Sequence, residues 1–119
     1  MTFYDRSGKP IAYCDDGETM YLFSGEPVAY LHKELVYSFP GIFLGRLENG
    51  WVRDRNGYCV FFTEDAAGGG PAKPAKWAKP GKGGKWGKPG KSGRMAPYAR
   101  PARIAWWSDL SGEEFFHQN

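Results

Sequence analysis

The sequence contains few of the residues that carry catalysis or bind metals. Of its 119 residues, two are histidine and two are cysteine. His32 and His117 have no cysteine, histidine or aspartate at the spacing of metal ligands, so we expect neither a metal site nor a cofactor. No motif places a general base beside Cys14 or Cys59, which favours buried thiols over nucleophiles. We therefore expect a protein that is not an enzyme.

Long apolar runs are missing as well. No stretch approaches the ~18 apolar residues of a membrane span. The first residues have neither the basic nor the apolar region of a signal peptide. Together with two unpaired thiols, this composition predicts a cytoplasmic protein. A chain of 119 residues has room for one domain with a small core.

The formal net charge of +3 conceals a division of the chain. Residues 1–67 carry six basic and ten acidic side chains, a net charge of −4. Residues 68–94 carry seven lysines, one arginine and no acid, a net charge of +8. Residues 95–119 carry two arginines and three acids, a net charge of −1. An acidic folded part therefore carries a basic segment, which concerns partners and solubility and not the fold.

A four-fold repeat organises the first half of the chain. Its markers are Gly8, Gly25, Gly41 and Gly57, which are 17, 16 and 16 residues apart, and each precedes a run of β-forming residues. Asn-Gly and Asp-Gly turns separate eight short runs rich in tyrosine, phenylalanine, valine and leucine, as in a chain of antiparallel hairpins. Four equivalent units offer a way to join the first strand to the last and so remove both sheet edges. We expect a mainly β fold, an eight-stranded antiparallel meander closed into a shallow barrel with pseudo-four-fold symmetry, plus a short C-terminal helix.

Alternation along the second strand of each repeat predicts two faces. We expect one face to combine a set of aliphatic residues with a set of larger ones: Ile11, Val28, Leu44 and Val60 with Tyr13, Tyr30, Arg46 and Phe62. We expect the other face to carry Ala12, Ala29, Gly45 and Phe61. Small residues at one level indicate a place where strands, or something inserted among them, crowd together.

Residues 4–13 and 25–30, with their Gly-x-Pro-[Val/Ile]-Ala-Tyr units, resemble the four-fold β-flower family of bacterial domains. The resemblance covers about residues 3–64 and continues through Val36-Tyr37 and Leu44-Gly45. It implies a shallow pseudo-symmetric barrel, distantly similar in shape to the tubby C-terminal domain, and it brings no activity with it. Tubby-like domains bind phosphoinositide head groups and enclose a helix, but none of their lipid-contacting residues can be matched to this sequence.

Residues 66–94 read as a disordered, partly polyproline-II tether after the barrel of residues 1–65. A lysine recurs at every third residue, and two tryptophans are interleaved. Because a polyproline-II helix has about three residues per turn, these cations would line one side of it. The predicted polyanion-binding residues are Lys73, Lys76, Trp77, Lys79, Lys82, Lys85, Trp86, Lys88, Lys91 and Arg94.

Three interpretations of the tether stay open. Lysines that meet phosphates and indoles that stack on bases suit single-stranded nucleic acid. The same residues suit an anionic membrane surface, as in a tubby-like module. The tether can also be an inert spacer that rests on the acidic barrel of a structural, protein-interaction domain.

Residues 95–119 have the composition of a docking segment. Ser111-Gly112-Glu113-Glu114 forms a capping box, and a helix over 112–118 should follow. So short a helix needs tertiary burial, either on the barrel mouth in cis or on another protein or protomer. Its predicted docking residues are Ile104, Trp106, Trp107, Leu110, Phe115 and Phe116. We expect a non-enzymatic binding or scaffold module whose tether engages nucleic acid.

Overall fold

The computed structural model describes all 119 residues and shows a disc-shaped β-barrel, 35 × 35 × 22 Å across. Eight antiparallel strands follow one another around the barrel, and β1 pairs with β8 through Tyr4 and Phe62 to close it. The strands are β1 Thr2–Tyr4, β2 Pro10–Tyr13, β3 Thr19–Leu22, β4 Pro27–His32, β5 Leu35–Tyr37, β6 Phe43–Glu48, β7 Trp51–Asp54 and β8 Cys59–Phe62. The one helix, α1, spans Gly112–Phe116. These observations confirm the expected fold.

Four quarters of the barrel are equivalent, and we number them by their hairpins: β1–β2, β3–β4, β5–β6 and β7–β8. In each quarter the strand pairing shifts by one residue at the same place, so that one residue of the second strand has no partner. The unpaired bulge residues are Ile11, Val28, Leu44 and Val60.

The bulges make one expectation of the sequence analysis wrong. An extra residue breaks strict alternation, so the bulge residues do not share the face of Tyr13, Tyr30 and Phe62. Leu44 and Val60 belong to the inner core cluster, and Ile11 and Val28 pack against it. The inner face therefore receives two consecutive residues from the second strand of each quarter.

Helix α1 fills the space that the small inner residues leave. Phe115 is fully buried and meets the Phe61 ring edge-to-face, with centroids 5.6 Å apart, and Phe116 stacks on the same ring at 5.5 Å. A Cβ on Gly45 would lie only 3.1 Å from the Phe115 ring. The predicted capping box is present: the Ser111 side chain accepts from the Glu114 amide, and the Glu114 carboxylate accepts from the Ser111 amide. The helix ends at residue 116, two residues earlier than expected.

The outer face of the barrel is aromatic, which is unusual for a surface that would otherwise meet water. Its rings form three clusters and are all buried. They include Tyr4, Tyr13, Tyr21, Tyr30, Tyr37, Phe43, Trp51 and Phe62. Residues 63–106 contain no helix or strand and run around this wall in an extended path. The barrel therefore has two apolar layers, one inside with α1 and one between the wall and the segment that surrounds it.

Candidate functional site

A nine-residue repeat governs the segment around the barrel. We call residues 72–107 the strap, because they form four copies that begin at Ala72, Gly81, Gly90 and Ala99. The first, fourth and seventh residues of each copy are glycine or alanine. The second and fifth residues are lysine or arginine, and the sixth is a large apolar residue. The lysine triplets of the sequence analysis are thus part of a longer period.

Each copy of the strap docks on one quarter of the barrel at the same point. The amide N–H of its sixth residue donates to the carbonyl of the hairpin glycine, at 2.9, 3.0, 2.9 and 3.2 Å around the ring. The donors are Trp77, Trp86, Met95 and Ile104, and the acceptors are Gly8, Gly25, Gly41 and Gly57. We call these four contacts the docking points. They explain the four-fold glycine marker of the sequence.

The hairpin glycines are required for two reasons. All four have φ between +88° and +102°, a region that side chains disfavour. A Cβ on any of them would also overlap the carbonyl oxygen of the strap's fourth residue, as with Gly25 and Gly84. The strap can approach the barrel backbone so closely because the hairpin residue is glycine and the fourth residue of each copy is glycine or alanine.

The nine-residue spacing fits the size of the barrel. Nine residues at the ~3.1 Å rise of an extended polyproline-II segment span ~28 Å. One quarter of the circumference of a circle 35 Å across is about 27 Å, if the disc dimension is used as the diameter. One copy of the strap therefore reaches from one docking point to the next.

Cations of the strap lie over tyrosine rings of the wall in the first three quarters. Lys82 is 4.4 Å from the centroid of Tyr13, Lys91 is 4.5 Å from that of Tyr30, and Lys85 is 4.8 Å from that of Tyr21. Lys76 over Tyr4 and Arg94 over Tyr37 are longer, at 5.5 and 5.9 Å. Such cation–π contacts stabilise the strap on the wall and leave the cation partly hydrated.

Carboxylates of the barrel pair with four lysines of the strap, two of which also lie over tyrosines. Lys85 contacts Asp15 at 2.8 Å, Lys88 contacts Asp16 at 3.4 Å, Lys91 contacts Glu18, and Lys79 contacts Glu64 at 3.6 Å. The four carboxylate side chains are 34–47% exposed. Ion pairs at this exposure contribute little to stability.

These contacts lower the pKa values of the carboxyls. The Lys85 hydrogen bond lowers the pKa of Asp15, and the Lys91 hydrogen bond lowers that of Glu18. Partial burial by itself would raise the pKa of Asp16, but backbone N–H donors of Thr19 and Glu18 and the Lys88 ammonium outweigh it and lower the value.

Arginine replaces tyrosine on the wall at β6 and β7, where the third quarter meets the fourth. Arg46 and Arg53 face each other across β6 and β7 and are both buried. Arg53 donates to the carbonyls of Gly57 and Ile104, each at 2.9 Å, and to that of Gly69 at 2.6 Å. Arg46 donates to the carbonyl of Tyr98 at 2.6 Å. The two guanidinium groups thus hold the backbone at Gly69, before the strap, and at Tyr98 and Ile104, near its end.

A buried carboxylate at the end of β6 lies beside these arginines. Arg100 and Arg103 occupy the second and fifth places of their copy, where other copies lie over tyrosines. With arginines below them, they pair instead with Glu48, at 2.6 and 2.8 Å. The Glu48 side chain is 7% exposed. We call residues 72–94 the cover and residues 98–107 the anchor.

The structure brings the predicted polyanion-binding residues to the circumference of the disc. Trp77 and Trp86 are 54% and 55% exposed, and the ammonium groups lie between the wall and solvent. The prediction that this segment is disordered in solution stays a prediction, while the alternative that it rests on the barrel matches its place here. The boundary at residue 94 between the predicted tether and the predicted docking segment marks a change of composition. It is not a structural boundary, because the nine-residue repeat continues across it.

Docking residues behave in two ways. Trp107, Phe115 and Phe116 are buried, and Ile104 and Leu110 are partly buried. Trp106 instead is 60% exposed and lines a cleft of about 610 Å³ with Arg55, Tyr58 and Asp109. Cys14 and Cys59 are buried free thiols whose pKa values are raised by burial. No group of histidine, cysteine or acidic residues in the structure could hold a metal ion, and no helix has the length and apolar character to cross a bilayer.

The family comparison covers more than the barrel. The model of the family described as "4-fold beta flower protein" matches residues 1–116. The chain belongs to the four-fold β-flower family. The match includes the strap and α1 and extends the resemblance well beyond residue 64, so the β-flower fold of this chain includes the segment that surrounds the barrel. Searches of curated proteins and of solved structures found no match.

Sequence reasoning missed the anchor and the nine-residue repeat. The repeat was visible as alanine or glycine at 72, 81, 90 and 99 with a cation at each next position. A change of composition near residue 94 concealed it, because arginine and methionine replace lysine and tryptophan there. Glu48 gave no signal in the sequence, since its importance depends on two arginines more than fifty residues away.

Proposed function

We propose that this protein is a non-enzymatic, cytoplasmic binding module that engages single-stranded nucleic acid along its strap. The carrying observation is the distribution of charge and aromatic rings. Lysines of the cover and the exposed rings of Trp77 and Trp86 lie around the circumference of the disc. Phosphates would pair with the ammonium groups, and bases would stack on the indoles.

The turns at the two ends of the barrel carry both charges, with carboxylates in the majority. Exposed Asp109, Glu113 and Glu114 lie at the end where α1 enters. Acidic residues of the opposite turns, among them Asp15 and Glu34, are exposed at the other end. A flexible strand can follow a basic circumference, whereas a flat anionic bilayer would meet an acidic end. This distribution supports nucleic acid over a membrane surface.

Existing contacts of the lysines do not prevent this binding. The four ion pairs of the cover are exposed, and pairs of that kind contribute ~0–1 kcal/mol each. A single strand offers many phosphates at once and releases condensed counterions when it binds. It can therefore compete for the ammonium groups.

The test is a titration of a fluorescent single-stranded oligonucleotide at several salt concentrations. The variant Lys79→Gln/Lys88→Gln removes two ammonium groups that lie over no tyrosine. We expect saturable binding to the unmodified protein that weakens strongly between ~50 and ~200 mM salt. Each lost phosphate contact should reduce the slope of log K against log salt by ~0.7, so the double variant should lose ~1.4.

The matched control is Lys9→Gln/Lys33→Gln, which removes two exposed lysines outside the strap. Its slope should equal that of the unmodified protein. Equal slopes for all three proteins, or no binding of the oligonucleotide, would contradict the proposal. Binding to anionic vesicles that survives excess oligonucleotide would instead favour the membrane alternative, and binding to neither would favour a structural, protein-interaction domain with an inert spacer.

A further inference from the structure

Stacked aromatic pairs lie beneath the strap. Tyr13 and Tyr21 have centroids 5.7 Å apart with planes at 25°, and Tyr30 and Tyr37 have centroids 6.0 Å apart at 22°. Tyr4 and Phe62 repeat the arrangement at 5.3 Å and 22°. Phe62 also packs against Trp107 of the anchor, so we call only the two tyrosine pairs the stacked wall. Rings held in this way on rigid strands resemble the platforms on which proteins stack single-stranded bases.

The material that covers the stacked wall is slight. Residues 81–93 include six glycines and no large apolar side chain apart from Trp86, which is 55% exposed. Ammonium groups therefore seal the rings from above, together with a few amide contacts at the docking points. The Tyr30 hydroxyl is buried beneath them without a hydrogen-bond partner, so the cover leaves a polar group unsatisfied.

Both ends of the cover are fixed more firmly than its middle. On one side Arg53 holds Gly69, and on the other Glu48 and Arg46 hold the anchor. The middle depends on exposed ion pairs and cation–π contacts of its lysines. These lysines are the groups that a polyanion would recruit.

We infer that the cover is displaceable and that the stacked wall beneath it is a second contact surface for the bases of single-stranded nucleic acid. Phosphates take the lysines, the cover lifts between its two fixed ends, and the uncovered tyrosines stack bases while the anchor stays in place. This inference rests on the proposed function and adds the place where the bases bind.

Amide hydrogen exchange of the full-length protein tests the displacement. The probes are an unlabelled oligothymidine and an abasic oligomer of the same length and charge. With saturating oligothymidine, the amides of Trp77 and Trp86 should exchange at least tenfold faster, and that of Ile104 should be unchanged. Bound oligothymidine with unchanged or slower exchange at Trp86 would overturn the inference and leave the proposed function standing. Failure to bind would overturn both.

The variant Tyr21→Leu tests the stacking itself, with Tyr58→Leu as the matched control outside the wall. If bases stack on the wall, Tyr21→Leu should lower the affinity for oligothymidine about tenfold and leave the abasic oligomer unaffected. If Tyr21 only holds the cover down, its loss should raise the affinity for both oligomers, and that result would overturn the inference. Thermal unfolding without ligand verifies that both variants fold.

Discussion

The first three copies of the strap and the fourth copy dock with the same geometry but are held by different side chains. Each copy donates an amide to a hairpin glycine and places two cations above the barrel wall. In the first three copies those cations meet tyrosines and exposed carboxylates. In the fourth copy they meet a buried carboxylate, and two arginines of the wall bind the backbone of the strap near its end. The period of the repeat thus determines position, and the side chains determine how firmly each copy is held.

The difference matters because ion pairs respond to solvent. Water and salt screen the pairs of the cover, whose carboxylates are 34–47% exposed. The Glu48 side chain, at 7% exposed, is screened much less, and its arginines would lose charge-assisted hydrogen bonds with it. A cover that opens and an anchor that stays are the expected consequence.

Gly57→Ala should have the largest effect on stability. Its Cβ would overlap the carbonyl of Ala102 at φ +94°, in the quarter where the strap cannot move away. We expect the free energy of unfolding to fall by ~3 kcal/mol. Gly25→Ala creates the same overlap with Gly84 in the cover, which can shift outward, so we expect ~1.5 kcal/mol. Urea unfolding followed by near-UV circular dichroism measures both.

Gly17→Ala is the control for backbone strain alone. Its φ is +76°, and nothing lies within 4 Å of the added Cβ. We expect a loss of ~1 kcal/mol. Equal losses for Gly57→Ala and Gly25→Ala would show that cover and anchor are held alike.

Glu48→Gln should have the next largest effect. It leaves Arg100 and Arg103 without their shared charge, and we expect the free energy of unfolding to fall by ~2 kcal/mol. Asp15→Asn removes an equivalent partner from Lys85 in the cover and should leave the urea midpoint unchanged. A loss from Asp15→Asn as large as that from Glu48→Gln would contradict the distinction between the two regions.

Low pH should loosen the cover, and this is the smallest of the expected effects. Asp15, Asp16 and Glu18 have lowered pKa values, so their contribution is complete above the ordinary values of 3.8 for aspartate and 4.5 for glutamate. It is lost as the pH falls below those values through the lowered ones. The protection factor of the Trp86 amide should therefore fall progressively below about pH 4.5.

The Ile104 amide is the internal reference for that experiment. Arg53 binds the carbonyls of Ile104 and Gly57, which do not titrate. The protection factor of the Ile104 amide should persist at the pH at which the Trp86 amide has lost most of its protection. Parallel loss at both amides would contradict the prediction.

Local rules of turns and caps predicted much of the fold. Glycines at a constant spacing marked four hairpins, and Ser111 and Glu114 marked the helix start, because positive φ angles and caps depend on neighbours in sequence. The prediction of which residues share a face in β2, β4, β6 and β8 was wrong in part. A bulge depends on how two strands pair, so it cannot be seen in one strand alone. Val28 gives no sign in its own strand that it lacks a partner in β3.

For the candidate site, the sequence predicted which residues take part but not what they contact. Lysines and tryptophans of the cover were identified as a set, but their tyrosine partners were not, because these lie about seventy residues earlier in the chain. Nothing near Arg46 or Arg53 in the sequence indicates what they bind, because Tyr98 and Ile104 lie about fifty residues later in the chain. In the structure both are buried and bind backbone carbonyls of the chain itself.

Insertion of one Lys-Gly-Gly triplet between Ala78 and Lys79 tests the match between strap and barrel most directly. The insertion preserves the lysine triplets and the composition, but it makes the first interval between docking points twelve residues instead of nine. The same triplet between Ala67 and Gly68, before the strap begins, is the control. We expect the insertion after Ala78 to lower the thermal midpoint and the protection of the Trp77 amide, and the control to resemble the parent protein. Equal midpoints and equal Trp77 protection for all three proteins would contradict it, and the strap would then be a basic segment without a register on the barrel.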